Sequence, residues 1–398
     1  MKATRWDVVI VGAGPAGSTT AALLAERGHR VLVLEKATFP RFHIGESLLP
    51  VSTPLHARLG LVHDEQSFLF KRGAEFVCEA TNRRAAFSFS EALPGPPRHA
   101  WHVERSTFDT LLRDRAVTAG AEVRHGQSVV ETRICADTVQ VVTGSGRESG
   151  RFLVDATGQD RLLARRNKTA VPYRDFGKGA VFCHLDGLSD ATIREIGPGN
   201  DIRITASAHG WAWAIPLPGR RLSVGIVSKT PGIRVEALGE HIDNSTLLRN
   251  WATGTARSAP RIVSNFSFRN QRAHGARFAC VGDAACFLDP VFSSGVALAM
   301  AGAERLADLL SPALEHGSEA RVDLMRPLSA HMERAYDTFG ALVHRFYNTN
   351  FADHFFFGHP TDKNLRRGVI SVLAGDIWRT DNAFQNMLLS ARRRPRSS

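Results

Sequence analysis

The feature that most constrains this chain is the run from Trp6 to Glu35. An apolar stretch, Trp6 to Val11, ends in Gly12-Ala13-Gly14-Pro15-Ala16-Gly17; a helical pattern follows up to Arg27-Gly28, and Val31 to Leu34 leads into Glu35. This is strand, turn, helix, strand within the roughly 30 residues that a parallel crossover needs. The turn carries G-x-G-x-x-G in the context that makes the pattern informative. Gly12 permits the tight turn, Gly14 lets the backbone approach a pyrophosphate, and Gly17 lets helix and strand pack closely. The phosphates then sit at the positive end of the helix. Glu35, ending the second strand, is placed to accept hydrogen bonds from an adenosine ribose. A Gly-rich turn without a ligand is the bland alternative, and the strand context together with Glu35 argues against it.

The rest of the chain fits a large α/β domain with subordinate modules. It has 398 residues, 43% hydrophobic and 22% charged, enough to bury a sizeable core and with no compositional sign of disorder. The net charge of +11 favours acidic partners. The tail Ala391-Arg392-Arg393-Arg394-Pro395-Arg396 supplies part of it, and a solvated terminus is its ordinary meaning. A nucleic-acid-binding protein would have only this charge in its favour, without aromatic interleaving. Cys78, Cys135, Cys183, Cys280 and Cys286 show neither C-x-x-C nor zinc spacing, so reduced thiols and no metal are expected. No apolar leader and no run of about 18 apolar residues are seen, which predicts a cytoplasmic protein without membrane association.

Ser106 to Ala119 has helical periodicity after a possible Ser106 cap, Gln127 to Val142 alternates like a hairpin, and Gly150 to Asp155 reads as a buried strand. Phe68 to Phe89 and Ala180 to Val227 are rich in aromatic and β-branched residues, suggesting a second, mostly antiparallel sheet assembled from separated segments. Gly295 to Leu310 is an apolar helix. Tyr336, Phe339, Val343, Phe346 and Tyr347 fall along one face of another.

Three further segments decide which dinucleotide binds. Cys280-Val281-Gly282-Asp283-Ala284-Ala285 resembles the second FAD fingerprint of glutathione-reductase-like flavoproteins, whose Asp binds the ribityl chain. Asp155-Ala156-Thr157-Gly158 resembles the strand-end motif of the same superfamily, and Arg105 matches a position that commonly contacts flavin. The expected fold is thus a Rossmann-like FAD-binding domain of glutathione-reductase type, over residues 1–66, 100–175 and 268–320. It carries an inserted, mostly antiparallel β-sheet substrate module over 67–99 and 176–267, and a short C-terminal helical region with a basic tail over 321–398. No second G-x-G-x-x-G follows a strand, so NAD(P)H either binds transiently or reduced flavin comes from another protein.

Beyond FAD, the chain resembles the flavin-dependent halogenases that act on phenolic, pyrrolic or carrier-tethered substrates. The resemblance rests on Pro40-Arg41-Phe42-His43-Ile44-Gly45-Glu46-Ser47-Leu48-Leu49-Pro50, on Lys71, on Trp211-Ala212-Trp213-Ala214-Ile215-Pro216, and on Asp289-Pro290-Val291-Phe292-Ser293-Ser294-Gly295-Val296. It implies that reduced FAD and oxygen oxidise a halide to hypohalous acid, which Lys71 passes to an electron-rich ring. Lys71 would act as a hydrogen-bond donor or, partly neutral through desolvation, as a chloramine. Glu46 is a second catalytic candidate, orienting the oxidant or the lysine, with a structural carboxylate as the even alternative. Halide is expected at the amides of Ser294 and Gly295, where capping by Ser is the competing role. Trp211, Trp213, Ile215 and Pro216 would wall the flavin side from the substrate side. Further cofactor contacts are implied for Ala16, Lys36, Arg41, Ser47, Gly295 and Val296, alongside Gly12, Gly14, Gly17, Glu35, Arg105 and Asp283. His43 and His102 could titrate near neutrality but have no forced role.

The implied partners are a flavin reductase that delivers reduced FAD, and an aromatic substrate, free or on a carrier protein. Longer halogenases add a C-terminal domain. Here Phe351, Phe355, Phe356 and Phe357 could supply a shortened lid, or a carrier protein could close the site. An FAD-dependent aromatic hydroxylase is the main alternative, and a reductase of the geranylgeranyl reductase type shares much of the fold.

Overall fold

The computed structural model describes residues 6–95, 97–207, 210–348, 357 and 362–390. Its first sheet is centred on the strand Trp6–Val11, which pairs in parallel with Val31–Leu34 on one side and with Gly146–Asp155 on the other. Glu122–Arg124 and Phe278–Cys280 extend the parallel order at the two flanks. These strands read as unbroken apolar runs because both faces are covered. Val8, Ile10, Val31, Val33, Phe152 and Val154 face one core shared with the helices, whereas Val9, Val11, Leu32, Leu34 and Leu153 face Val139, Val141 and Leu163 on the other side.

The helix Pro15–Ala25 is buried along its whole length, which explains a sequence of small residues and threonines with no polar face. It packs against the helices Ser294–Glu315 and Arg105–Thr118. The latter starts one residue earlier than its periodicity suggests. Glu104 holds the cap position without a side-chain bond, so Ser106 lies inside the first turn and is not the cap.

The second sheet joins separated segments. Gly179–Asp186, Arg221–Ser228, Gly210–Leu217 and Ile202–Ser207 run antiparallel in that spatial order; Gly73–Cys78 then joins parallel to Ile202–Ser207, with Arg83–Ser88 antiparallel at the far edge. One stretch expected in this sheet lies elsewhere. Phe68–Lys71 pairs only with Ala100–Val103, as a separate two-stranded ladder that Gly210–Leu217 packs against. A single residue, Arg72, separates it from the next strand, and the Arg72 amide bonds outside the ladder, to the Gly199 carbonyl at 2.8 Å.

The helix Arg326–Asn348 buries Tyr336, Phe339, Val343, Phe346 and Tyr347 along one face. Two more helices follow, Lys363–Leu373 and Ala383–Ser390. They dock through hydrogen bonds from Leu93 N to Ser371 Oγ (2.8 Å), Val51 N to Ala374 O (3.2 Å) and Gln385 Nε2 to Thr338 Oγ1 (2.9 Å). All five cysteines are free thiols. No described helix is long and apolar enough to cross a membrane.

Candidate active site

A cavity of about 1240 Å³ begins at the turn after the first strand and ends at the tryptophan strand. At its near end, Gly12 has φ +100°, and a Cβ there would stand 2.4 Å from the Ala156 carbonyl oxygen. Gly17 lies behind the cavity wall: its Cβ would meet the Gly12 carbonyl at 1.9 Å, so its role is packing of helix on strand. Gly14 is different. It caps the helix Pro15–Ala25 with no side-chain bond, and a Cβ would meet only Arg41 Nη2, at 3.4 Å. The first amides of the helix are therefore open to an anion.

Glu35 is buried and accepts hydrogen bonds from Ala13 N at 2.7 Å and Ala37 N at 2.8 Å. It thus folds the glycine turn and still presents lone pairs to the cavity. Lys36 lines the rim and pairs with Asp160. Arg105 is held on the Asp109 carboxylate by two bonds, at 2.7 and 3.0 Å, and Arg41 reaches the same carboxylate at 3.2 Å. Arg105 Nη1 also donates to the Ile44 carbonyl at 2.7 Å, fixing the Pro40–Pro50 segment to the cavity wall. Asp109 is one turn on from Arg105, an i,i+4 spacing that is itself the sequence signal for this pair.

At the centre, Asp283 is pushed up to about 6 by burial, while Gln159, donating at 3.2 Å, and the Arg105 charge act the other way. Gln159 belongs to the turn after Asp155-Ala156-Thr157-Gly158, so two separated fingerprints meet here. Among the cavity residues, Arg41 Nη1, Glu46 Oε2 and Ser47 Oγ are buried without a partner. A glycine cradle, an open helix N-terminus and unpaired polar atoms facing one space suit a long dinucleotide with a polar chain. Gly12, Gly14, Glu35, Arg41, Ser47, Arg105 and Asp283 would hold FAD, with Ala16, Gly295 and Val296 lining the same space.

The Asp289–Val296 segment closes the far side of this end. Asp289 caps the short turn Pro290–Phe292 by accepting from Val291 N at 3.1 Å. Ser293 then adopts φ +56° and makes no capping bond to the helix Ser294–Glu315, so side-chain capping by serine does not occur there. Ser293, Gly295 and Val296 border the cavity; Ser294 is buried away from it. Any halide contact from Ser294 is therefore limited to its backbone amide.

Trp211, Trp213 and Ile215 line the far wall, while Pro216 does not, because successive residues of a strand face opposite sides. The two indoles lie 5.6 Å apart, and Gly225 opposite Trp213 leaves the room that its ring fills. Glu46 faces the cavity too, and its Oε1 pairs with His184 Nε2 at 2.8 Å. His184 is a functional candidate that the sequence did not signal, since it comes from a different strand with no motif around it.

Lys71 does not border the cavity. It sits in the small ladder against which the tryptophan strand packs, 1% exposed, its Nζ donating to the Leu48 carbonyl at 2.8 Å and lying 5.2 Å from the Phe89 ring. Burial brings it down from 10.5 to about 7, against an opposing pull from Asp201. The helix Lys363–Leu373 and the Ala374 that follows it cover the neighbouring segments around Val51 and Leu93. Of the four phenylalanines considered as a lid, Phe351, Phe355 and Phe356 lie outside the described residues, and Phe357 sits under Arg83, 4.9 Å from its guanidinium. His43 and His102 do not titrate near neutrality: burial and the Arg105 charge take His43 down to about 4, and burial beside Lys71 takes His102 well below its ordinary value.

The fold and the cavity define an FAD-dependent oxidoreductase. The sequence profile described as tryptophan halogenase matches residues 7–97 and 94–375, and the chain belongs to that family of flavin-dependent halogenases. It is similar to a 1H-pyrrole-2-carbonyl-[peptidyl-carrier protein] brominase of Pseudoalteromonas luteoviolacea, 28% identical over 415 residues and 96% of each chain. A tryptophan 2-halogenase of Chondromyces crocatus is 32% identical over 311 residues, which are 74% of this chain and 58% of that one. Among solved structures, the flavin-dependent brominase Bmp2 superposes with a TM-score of 0.82 at 26% identity over 97% of this chain and 98% of its own. A flavoprotein/dehydrogenase from Cytophaga hutchinsonii gives 0.86 at 28% identity over 96% of both. The enzyme uses FAD and a halide, and aromatic halogenation is its chemistry.

Proposed function

We propose that this enzyme halogenates a phenolic or pyrrolic ring, free or tethered to a carrier protein, in cytoplasmic secondary metabolism, using reduced FAD delivered by a separate flavin reductase. The near end-to-end match with the carrier-dependent pyrrole brominase, against 58% coverage of the tryptophan 2-halogenase, supports a substrate of the former kind. Bound FAD supplies the oxygen chemistry that converts halide to hypohalous acid. The amides opening the helix Ser294–Glu315 hold the halide, where helix dipole and unpaired N–H groups favour an anion. Trp211 and Trp213 keep the substrate ring from the flavin side, and Glu46 with His184 orients the oxidant.

Lys71 carries the reading. A buried, largely desolvated amine near 7 is in part unprotonated at neutral pH, and its surroundings, the Leu48 carbonyl and the Phe89 ring, leave its lone pair unclaimed. Lys71 lies behind the cavity wall, so hypohalous acid reaches it only when the segments covering it part; the amine then takes the halogen with release of water. The ring carbon then takes the halogen, the ring proton leaves, and the amine is restored. The test compares Lys71→Met and Lys71→Arg with wild type. Both variants should retain FAD and oxygen consumption and lose halogenated product, because guanidinium stays protonated. Partial rescue by arginine would favour activation by hydrogen bonding, and unchanged product in Lys71→Met would remove Lys71 from the chemistry.

A further inference from the structure

A buried tyrosine hydroxyl lies between the tryptophan wall and the Asp289–Val296 turn. Tyr347, from the helix Arg326–Asn348, accepts a hydrogen bond from Trp211 Nε1 at 2.9 Å and donates one to Asp289 Oδ2 at 2.8 Å. The direction is fixed, because an indole N–H can only donate and a carboxylate can only accept. Asp289 also accepts from Gly177 N at 3.1 Å on Oδ2 and from Val291 N at 3.1 Å on Oδ1, so its carboxylate shapes the turn that leads into the helix Ser294–Glu315. A Cβ on Gly177 would stand 2.8 Å from Asp289 Oδ2 and 3.0 Å from Tyr347 Oη, so the bridge occupies the space that a side chain at 177 would need.

All three bridging residues are buried. The same helix fills neighbouring core positions with Phe339 and Phe346, so packing alone gives no reason for a hydroxyl at Tyr347. Leaving out that hydroxyl would take from the Trp211 N–H its 2.9 Å acceptor and leave Asp289 Oδ2 with the Gly177 amide as its donor.

We propose that Tyr347 is a positioning residue for the halogenation reaction, holding the tryptophan wall and the halide-binding turn as one unit so that halide is seated where it is oxidised. This rests on the reading of the Ser294–Glu315 helix start as the halide site. Tyr347→Phe removes only the hydroxyl. In the FAD-loaded enzyme supplied by a flavin reductase, it should raise the halide KM about ten-fold, the scale of one bond to a buried charged group. The kcat at saturating halide should stay within about two-fold, since the chemistry itself is not touched. Trp211→Phe should give the same KM defect, and the double variant no more than either, because both break one bridge.

A second readout needs no turnover. Sodium bromide should raise the thermal midpoint of the FAD-loaded wild type relative to sodium gluconate of equal ionic strength, and raise that of Tyr347→Phe less. Unchanged halide KM and unchanged bromide stabilisation in Tyr347→Phe, or additive defects in the double variant, overturn the proposal. Should Tyr347→Phe prove insoluble, Trp211→Phe breaks the bridge from its other end and is judged by the same two measurements. A wild type that neither gains stability from bromide nor needs halide for product loses the halide site and the bridge with it. A wild type that does both beside an unaffected Tyr347→Phe loses the bridge alone.

Discussion

Replacing Lys71 with methionine should stabilise the folded protein at and below neutral pH even as it removes halogenation. Burial lowers the Lys71 ammonium from 10.5 to about 7. If the unfolded chain keeps the ordinary value, each pH unit of that depression corresponds to about 1.4 kcal/mol, on the order of 5 kcal/mol in all. Below about pH 7 the group is charged in both states and the whole cost applies. Between about 7 and 10.5 the folded protein has released its proton while the unfolded chain still holds it, so the cost shrinks steadily with rising pH. Methionine removes this cost at every pH but leaves the Leu48 carbonyl without its 2.8 Å donor, a loss of about 1–3 kcal/mol. The variant should therefore exceed wild type by roughly 2–4 kcal/mol at pH 6 and by about zero at pH 9. Urea unfolding at saturating FAD, followed by circular dichroism across that pH range, measures the difference. A variant less stable than wild type by the same amount at every pH would refute the argument, because the lysine charge would then not be held against burial.

Two further outcomes separate folding from binding and delivery of flavin. Gly12→Ala should lose soluble protein, since it forces a left-handed φ and drives a Cβ to 2.4 Å of the Ala156 carbonyl oxygen, whereas Gly14→Val should keep its circular dichroism spectrum and lose FAD, because only a flexible Arg41 side chain opposes it in the fold; normal flavin content in Gly14→Val would reject the site. The purified protein should oxidise NAD(P)H slowly until a flavin reductase is added, and rapid, substrate-triggered NADPH consumption by the protein alone would favour hydroxylation.

Much of the nucleotide site was legible because its signals are local. Gly12, Gly14, Gly17 and Glu35 sit in one crossover, and their roles follow from turn geometry and helix packing. The tryptophan wall was legible for the same reason: strand alternation places Trp211, Trp213 and Ile215 on one face, and it also excludes Pro216, which was grouped with them by motif. What the sequence withheld depends on contacts between distant segments. His184 meets Glu46 across 138 positions, and Tyr347 meets Asp289 across 58; neither pairing leaves a periodic trace. The strand Phe68–Lys71 has the composition of the large sheet, and its separation from it was not readable from that composition. The depth of Lys71 belongs to the same class, since a lysine taken without its neighbouring motifs reads first as a surface residue until the covering elements are in place.

Whether this fold makes a carbon–halogen bond is read from mass spectrometry of the products. The FAD-loaded protein, a flavin reductase, NADH and oxygen would be incubated with chloride or bromide and a panel of phenols and pyrroles, both free and loaded on carrier proteins. The expected product bears the isotope pattern of the supplied halogen and is absent without halide and absent with Lys71→Met. A product that gains oxygen in place of halogen, whether or not halide is present, would contradict carbon–halogen bond formation.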